Sequence, residues 1–292
     1  MKFSKFTKPS KILEGVMVIT RKLWPVKWYV YILYRIKFGQ RGDGISNPQT
    51  FTQKLNWSKV YDRNPEYWKY VDKYEVKSFV AKVIGQEYVV PCYGVWNSFD
   101  EIDFDKLPDK FILKCTHDSS GIAICRGKEH FDFDKARKKI VKSQNTDYYW
   151  YGREWPYKNA TRRIIADELL DDGRDGELQD YKWWCFNGEP KIMYITNKGK
   201  AGKILENFYD MDFNPIDVKR CYPRQTPEYT KPAEFELMKE LASKLSKEFK
   251  FIRVDFFDVH GKVYFGELTF FDHAGFLPFE NDEWDKKIGS WF

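Results

Sequence analysis

Near its C-terminus the chain carries Arg253-Val-Asp255-Phe-Phe-Asp-Val-His-Gly261-Lys-Val-Tyr-Phe-Gly-Glu267-Leu-Thr269, two apolar strand patterns joined by a turn signal and loaded with charge. Alternate residues of a strand share a face, so Arg253 and Asp255 project together, as do Glu267 and Thr269. The connection decides whether the two pairs meet. A two-residue turn at His260-Gly261 puts Asp255 opposite Gly266 and sends Glu267 to the other face. A three-residue loop ending in Gly261 turns Arg253 toward Glu267, with Asp255 diagonal to it. We therefore expect the three-residue loop, with Gly261 at positive φ. Two carboxylates and a guanidinium on one face are costly to bury without partners, and a divalent cation with phosphate oxygens would satisfy all three. A salt-bridged surface hairpin is the plainer alternative.

The rest of the chain can support such a buried site. Its 292 residues are 42% hydrophobic and 32% charged, enough for one or two folded domains and outside the range of disorder or fibrous repeats. The net charge of +6 comes from interleaved acids and bases, which supports a mild preference for anionic ligands and does not call for nucleic acid. Five cysteines without C-x-x-C spacing read as reduced thiols in a cytoplasmic protein, not as a disulfide or zinc framework. No signal-peptide pattern opens the sequence. Residues 20–38 mix Lys22, Lys27, Arg35 and Lys37 with Trp24, Trp28, Tyr29, Tyr31 and Tyr34. That stretch reads either as a helix packed on the core or as a peripheral contact with the inner face of the membrane.

Periodicity and turn chemistry divide the chain. Residues 1–66 read as a helical N-terminal region, broken at Gly42-Asp43-Gly44 and Asn47-Pro48. One helix is expected over 66–84, stopped by Gly85. Strand patterns at 88–90, 111–115 and 122–125 follow, the last two forming a hairpin around Thr116-His117-Asp118-Ser119-Ser120-Gly121, read as a flexible tip. A helix is expected over 134–143, a strand or buried helix end over 163–170, a hairpin around Asn187-Gly188, and an amphipathic helix over 232–249. This mixture points to an α+β fold with mainly antiparallel sheets. Lys114 alternates away from the apolar trio Phe111, Leu113 and Cys115 and leads into the hydroxyl-rich loop. It is a candidate phosphate grip, or an ordinary edge-strand lysine.

In order along the chain, Asp72-Lys73-Tyr-Glu-Val-Lys77 with Gly85, Phe111-Ile-Leu-Lys114 and its loop, Ala166-Asp-Glu168-Leu-Leu, Asp180-Tyr-Lys182-Trp-Trp and Arg253-x-Asp255…Glu267-x-Thr269 resemble ATP-grasp enzymes. More narrowly they resemble the TupA-like ATP-grasp family, associated with bacterial teichuronopeptide and capsular-polysaccharide genes. Asn47-Pro48-Gln-Thr50-Phe51 and Phe265-Gly-Glu267-Leu-Thr269-Phe270 fit that branch, and the resemblance covers roughly residue 47 onward. It implies an ATP-grasp fold in which two α+β lobes with antiparallel sheets clasp ATP. The smaller lobe would span 67–165 with the phosphate loop, and the larger, metal-binding lobe 166–292. By position, Glu168 and Leu170 would supply the hinge. Lys114, with Lys73, Lys77, Ser119, Ser120 and Gly121, would hold phosphates, and Asp180 and Lys182 would face ribose and phosphate. Asp255, Glu267 and Thr269 would ligate Mg²⁺, and Arg253, with Lys114, would act on the transferring phosphoryl group.

Two departures stand out. Thr269 occupies the place where ATP-grasp enzymes generally carry asparagine, and only about 66 residues precede the grasp-like region, where a separate substrate domain is usual. The implied activity is that of an ATP-dependent, ADP-forming carboxylate-amine ligase working through an acyl phosphate. Its expected substrates are an acidic sugar, such as a uronic acid of a surface polysaccharide, and an amine. His117 and His273 read as structural before catalytic, and Gly275 as a point of close backbone approach to the acceptor. Two other readings compete. A glycosyltransferase would use Asp103-Phe-Asp105 or Asp210-Met-Asp212 as a metal motif, and a non-catalytic grasp-fold protein would serve as a partner in a complex.

Overall fold

Turn chemistry sets the strand pairing. In a computed structural model, which describes residues 9–39, 45–173, 178–198 and 203–292, the Gly42-Asp43-Gly44 break falls outside the described residues. Strands β1 (Cys92–Trp96), β2 (Phe111–Cys115), β3 (Ile122–Cys125) and β4 (Ile164–Glu168) make a sheet in the order β1-β4-β2-β3. A second sheet contains β5 (Asp180–Phe186), β6 (Glu189–Lys198), β7 (Ile204–Tyr209), β8 (Pro215–Ile216), β9 (Phe251–Val259) and β10 (Lys262–Thr269), in the order β10-β9-β5-β6-β7-β8. Every pairing is antiparallel. β4 resolves the ambiguity at 163–170 in favour of a strand, and the 165/166 division between lobes falls inside it. No strand forms at 88–90; a short 3-10 turn covers Gln86–Tyr88 and pairing begins at Cys92.

The charged hairpin folds differently from the expectation. Its connection has two residues, His260 at φ 53° and Gly261 at φ 80°, the left-handed pair that matches strand twist. Glu267 still reaches the face of Asp255, because Gly266 is an extra residue in β10: Phe265 pairs with Phe256 and Glu267 pairs with Asp255. A bulge performs the shift that the longer loop was expected to perform. Gly266 is the residue that permits it, since a Cβ there would sit 3.1 Å from the Asp255 carbonyl oxygen and 3.2 Å from the Phe257 ring.

The helices are α1 (Pro9–Ile19), α2 (Val26–Phe38), α3 (Phe51–Tyr61), α4 (Trp68–Val71), α5 (Glu75–Val83), α6 (Phe133–Gln144), α7 (Tyr149–Gly152), α8 (Phe235–Ser246) and α9 (Asp282–Gly289). The single helix expected over 66–84 is broken at Asp72, whose ψ of 119° is extended. Its carboxylate accepts from the Tyr74 and Glu75 amides and so starts α5 anew. α8 keeps the expected periodicity and buries Phe235, Met238, Leu241 and Leu245 against the larger sheet with Trp183, Ile252, Val254 and Phe256. Each such side chain contributes about 1.5–3 kcal/mol.

α3 belongs to the same core through Phe51 and Leu55. It starts with a Thr50/Gln53 capping box and is tied to α9 where the Thr52 amide and hydroxyl donate to Asp285 at 2.8 and 2.7 Å. α3 also clamps the turn after β10, in which His273 and Ala274 adopt left-handed backbone. The Asn56 amide donates to the Gly275 carbonyl at 2.6 Å, and the Lys59 ammonium donates to the Ala274 carbonyl. Gly275 therefore serves close approach of backbone to α3, where a Cβ would sit 3.1 Å from Leu55 and from Asn56.

Gly266→Val is expected to lower stability by about 1–3 kcal/mol, from crowding at the bulge, which urea unfolding measures.

Candidate active site

Register alone assembles the charged face of the larger sheet. Phe208, Tyr194, Lys182, Asp255 and Glu267 are successive partners across β7, β6, β5, β9 and β10, so they form one row on one face. Trp184, Arg253 and Thr269 make the next row of that face. On the smaller sheet, Lys114 of β2 pairs with Ile165 of β4, and the Lys114 ammonium reaches along the diagonal to Asp167 at 3.1 Å.

A cavity of about 300 Å³ lies between the two faces. Lys73, Lys77, Lys114, Glu168, Leu170, Asp180, Lys182, Asp255 and Glu267, nine of the residues singled out from the sequence, all line it. The remaining wall is mostly apolar, with Val89, Val90, Ile112, Ile122, Leu169 and Phe265. One half is thus a nonpolar slot and the other a field of alternating ammonium and carboxylate groups. The sequence reasoning missed Asp167, although it sits inside the Ala166-Asp-Glu168 segment. Asp167 is 2% exposed and takes Lys114 on one oxygen and Lys77, at 3.1 Å, on the other. It fixes two lysine ammoniums side by side, and the i, i+2 spacing with the apolar Ile165 was the available signal.

Arg253 does not line the cavity. Its guanidinium binds Asp255 through two parallel hydrogen bonds of 2.7 Å, bridges to Glu267, and donates to Asp272 at 2.8 Å and to the Tyr194 hydroxyl at 3.4 Å. All five N–H donors are thereby engaged, so in this structure Arg253 positions carboxylates and offers no donor to a phosphoryl group. Asp272, also missed, is shared with Arg220, which in turn pairs with Glu206. Arg220 is buried among Trp184, Tyr194 and Phe208. The chain of charge runs from buried Glu206, Arg220, Asp272, Arg253 and Asp255 out to the half-buried Lys182 and Asp180.

These partners set the protonation states. Burial works against the Lys182 ammonium, but Asp180 at 2.9 Å and Asp255 at 2.8 Å outweigh it and raise its pKa. Burial likewise acts to raise the Glu267 carboxyl, yet Arg253, Lys182 and Lys73 together hold it below the ordinary value. Lys73 is pushed down by burial, against opposition from Glu267 and Asp118. Glu154, 6% exposed, is pushed up to about 7 by burial while Lys59 pulls it down.

Three phosphate-loop residues and the third metal residue are placed elsewhere. Ser119 hydrogen-bonds the Tyr148 hydroxyl at 2.8 Å, Ser120 turns to Asp118, and the Gly121 amide donates to Asp118 at 3.1 Å. Asp118, 2% exposed, thus pins a loop expected to be flexible and uses its one glycine amide. His117 packs inside with Nε2 on the Thr146 carbonyl. The Thr269 hydroxyl donates to Glu267 at 3.1 Å, so it orients that carboxylate. Among the described residues no three His, Cys, Asp or Glu side chains form a metal cluster. Mg²⁺ bound with a nucleotide requires only one or two carboxylates, the rest of its shell being phosphate and water, and Asp255 with Glu267 meets that requirement. The lining holds four lysines and five carboxylates, three of the lysines paired with Asp167 or Asp180, and with Asp255 and Glu267 open to a cation beside an apolar slot it fits a Mg²⁺-nucleoside triphosphate.

Two antiparallel sheets thus face each other across a cavity of about 300 Å³ that carries both charge signs. Residues 53–292 match the family described as TupA-like ATPgrasp, and the chain belongs to that family. No curated protein matches the sequence. Among solved structures, the chain is similar to D-alanine–D-alanine ligase from Bacillus anthracis at 14% identity, covering 68% of this chain and 56% of that one, with a TM-score of 0.40. The Helicobacter pylori D-alanine–D-alanine ligase is 14% identical, covering 76% of this chain and 61% of that one, with a TM-score of 0.40. The ATP-grasp ligase PsnB, complexed with minimal precursor, Mg and ADP, is 10% identical, covering 90% of this chain and 66% of that one, with a TM-score of 0.42. The chain thus spans between roughly half and two thirds of these chains.

Arg253→Ala leaves Asp255, Glu267 and Asp272 without their shared cation and is expected to cost about 3–5 kcal/mol, with Arg253→Lys recovering only part because lysine cannot make the forked contacts. Chemical denaturation tests both. Burial would raise the Asp272 carboxyl, but Arg220, His273 and Arg253 hold it well below its ordinary 3.8. The folded state therefore keeps this carboxylate ionised where the unfolded chain protonates it, and the resulting stability is lost as pH falls below about 4. Asp272→Asn should be less stable at neutral pH and show a flatter decline between about pH 5 and 3, read from thermal midpoints.

Proposed function

We propose that the protein is an ATP-dependent carboxylate-amine ligase. The observation that carries this reading is the single cavity in which an apolar slot continues into Lys73, Lys77, Lys114, Lys182, Asp255 and Glu267. Leu169, Leu170, Val89 and Val90 would enclose the purine, with Glu168 at the mouth. Lys77 and Lys114, held parallel by Asp167, would grip phosphates. Mg²⁺ carried in with the nucleotide would neutralise phosphate charge between Asp255 and Glu267.

In the reaction, an acceptor carboxylate oxygen bonds to the γ-phosphorus while the bond to the ADP oxygen breaks. An amine nitrogen then bonds to the acyl carbon, phosphate leaves, and the nitrogen gives up a proton. The chain contributes position and charge. Arg253 holds Asp255 and Glu267 at fixed separation, Lys114 and Lys77 meet the charge that develops on the transferred group, and no nucleophilic side chain is required.

The substrate class, an acidic sugar of a bacterial surface polysaccharide with an amine partner, rests on the gene association of the TupA-like family, and we place the reaction in the cytoplasm on cysteine usage. The glycosyltransferase reading lacks its metal motif. Asp103 accepts from the Asp105 amide and pairs with Lys106, and Asp210 accepts from the Asp212 and Asn214 amides, so both aspartates close turns.

The test is ADP release with hydroxylamine trapping of acyl phosphate over a panel of uronic acids. The expected result is acid- and Mg²⁺-dependent ADP formation, reduced by about 10²-fold or more in Lys114→Ala and in Asp255→Asn. A thermal shift with nucleotide sugars and none with ATP·Mg²⁺ would contradict the reading.

A further inference from the structure

The N-terminal helices present a surface that the nucleotide site does not use. In α1, Ile12, Val16 and Ile19 recur at helical spacing and fall within about 60° of one another around the axis. They are 59%, 47% and 81% exposed. Met17, on the opposite side, is buried against Tyr29 and Leu33 of α2. The stripe therefore faces outward, the reverse of an ordinary surface helix. Leu23 in the following turn is 81% exposed, and Trp28 in the first turn of α2 is 57% exposed. The remaining aromatics of the 20–38 segment mostly turn inward: Tyr29 and Tyr34 are buried, the first donating to the Tyr151 carbonyl and the second bonded to Thr52. The aromatics of that segment thus mostly pack on the protein, while its Lys22, Leu23, Lys27 and Trp28 stay exposed and continue the outward apolar edge of α1.

Charge identifies what would cover this edge. Residues 1–38 contain nine lysines and arginines against the single acid Glu14, a net of +8, in a chain whose total is +6. The rest of the molecule therefore sums to −2. Lys22 and Lys27 are exposed beside the stripe, flanking Leu23. A second copy of the same surface would bring like charges together, whereas an anionic lipid surface complements the charge and accepts the apolar side chains. Among the described residues no helix is long and apolar enough to cross a membrane, so the contact would lie in the interface plane.

We propose that α1 and the adjoining turn dock the protein on an anionic membrane surface, with Ile12, Val16, Ile19 and Leu23 entering the headgroup boundary and Lys22 and Lys27 contacting lipid phosphates. The assignment is independent of the ligase reading, because none of these residues lines the cavity.

The test is sedimentation of the full chain with phosphatidylcholine vesicles with and without about a quarter phosphatidylglycerol, at low and high salt. Binding should rise at least ~10-fold with phosphatidylglycerol and fall with salt, and Ile19→Asp/Leu23→Asp should abolish it while keeping the thermal midpoint. Lys22→Ala/Lys27→Ala should weaken binding without moving that midpoint. No binding to either vesicle overturns the proposal, as does equal binding by the Ile19→Asp/Leu23→Asp variant. A concentration-dependent dimer that this variant dissociates, with no vesicle binding by either protein, would assign the stripe to a second copy instead.

Discussion

The buried guanidinium of Arg253 holds three carboxylates that would otherwise repel one another inside a low-dielectric sheet face. Its contacts to Asp255, Glu267 and Asp272 join β9, β10 and the turn beyond β10 into one unit. That turn is clamped from outside by Asn56 and Lys59 of α3, and Asp272 passes the linkage to Arg220 and Glu206 over β7 on the same face of the sheet. Ionised groups are stable here because each has a partner of opposite charge and an aligned hydrogen bond. The backbone irregularities serve the same arrangement: the Gly266 bulge brings Glu267 opposite Asp255, and the left-handed His273 and Ala274 turn the chain after Asp272 onto α3.

Against this rigid larger sheet, the smaller sheet contributes cations on a simpler plan. One buried aspartate, Asp167, aligns Lys77 and Lys114, and Lys73 is held by the Asp118 carbonyl of the neighbouring loop. Three of the lysines thus enter from β2 and from the start of α5, and Asp180, Asp255 and Glu267 from the larger sheet, where Lys182 of β5 neutralises its neighbours Asp180 and Asp255. Such a division suits a ligand that carries a metal at one edge and bare phosphate oxygens at the other. It explains why the family's order of motifs along the chain corresponds to one place in space.

Much of this was legible from local pattern. The hairpin at Asn187-Gly188, the strand carrying Lys114 with its apolar trio inward, the α8 stripe and the meeting of Asp255 and Glu267 on one face all depend on periods and turns a few residues long, although the expected register, with Arg253 opposite Glu267, gives way to Asp255 opposite Glu267 and Arg253 opposite Thr269. The failures share a different character. The two-residue turn was rejected because a continuous ladder would have misplaced Glu267, and a one-residue bulge cannot be counted from alternation. The helix over 66–84 breaks because Asp72 caps a new start, which its apolar period does not reveal. Arg253 was expected to act on the transferring phosphoryl group, and only the tertiary arrival of Asp272 and Tyr194 shows that its donors are spent. The Ser119-Ser120-Gly121 loop looked free until Asp118 folded under it.

The central claim is that Asp255 and Glu267 meet a metal-bound nucleotide in the cavity between the sheets. Crystals grown with a non-hydrolysable ATP analogue and Mn²⁺, measured at the manganese edge, test it directly. The account predicts an anomalous peak about 2–2.3 Å from carboxylate oxygens of both residues, with the base against Leu169 and Leu170. A peak elsewhere, or a nucleotide bound outside this cavity, would contradict it.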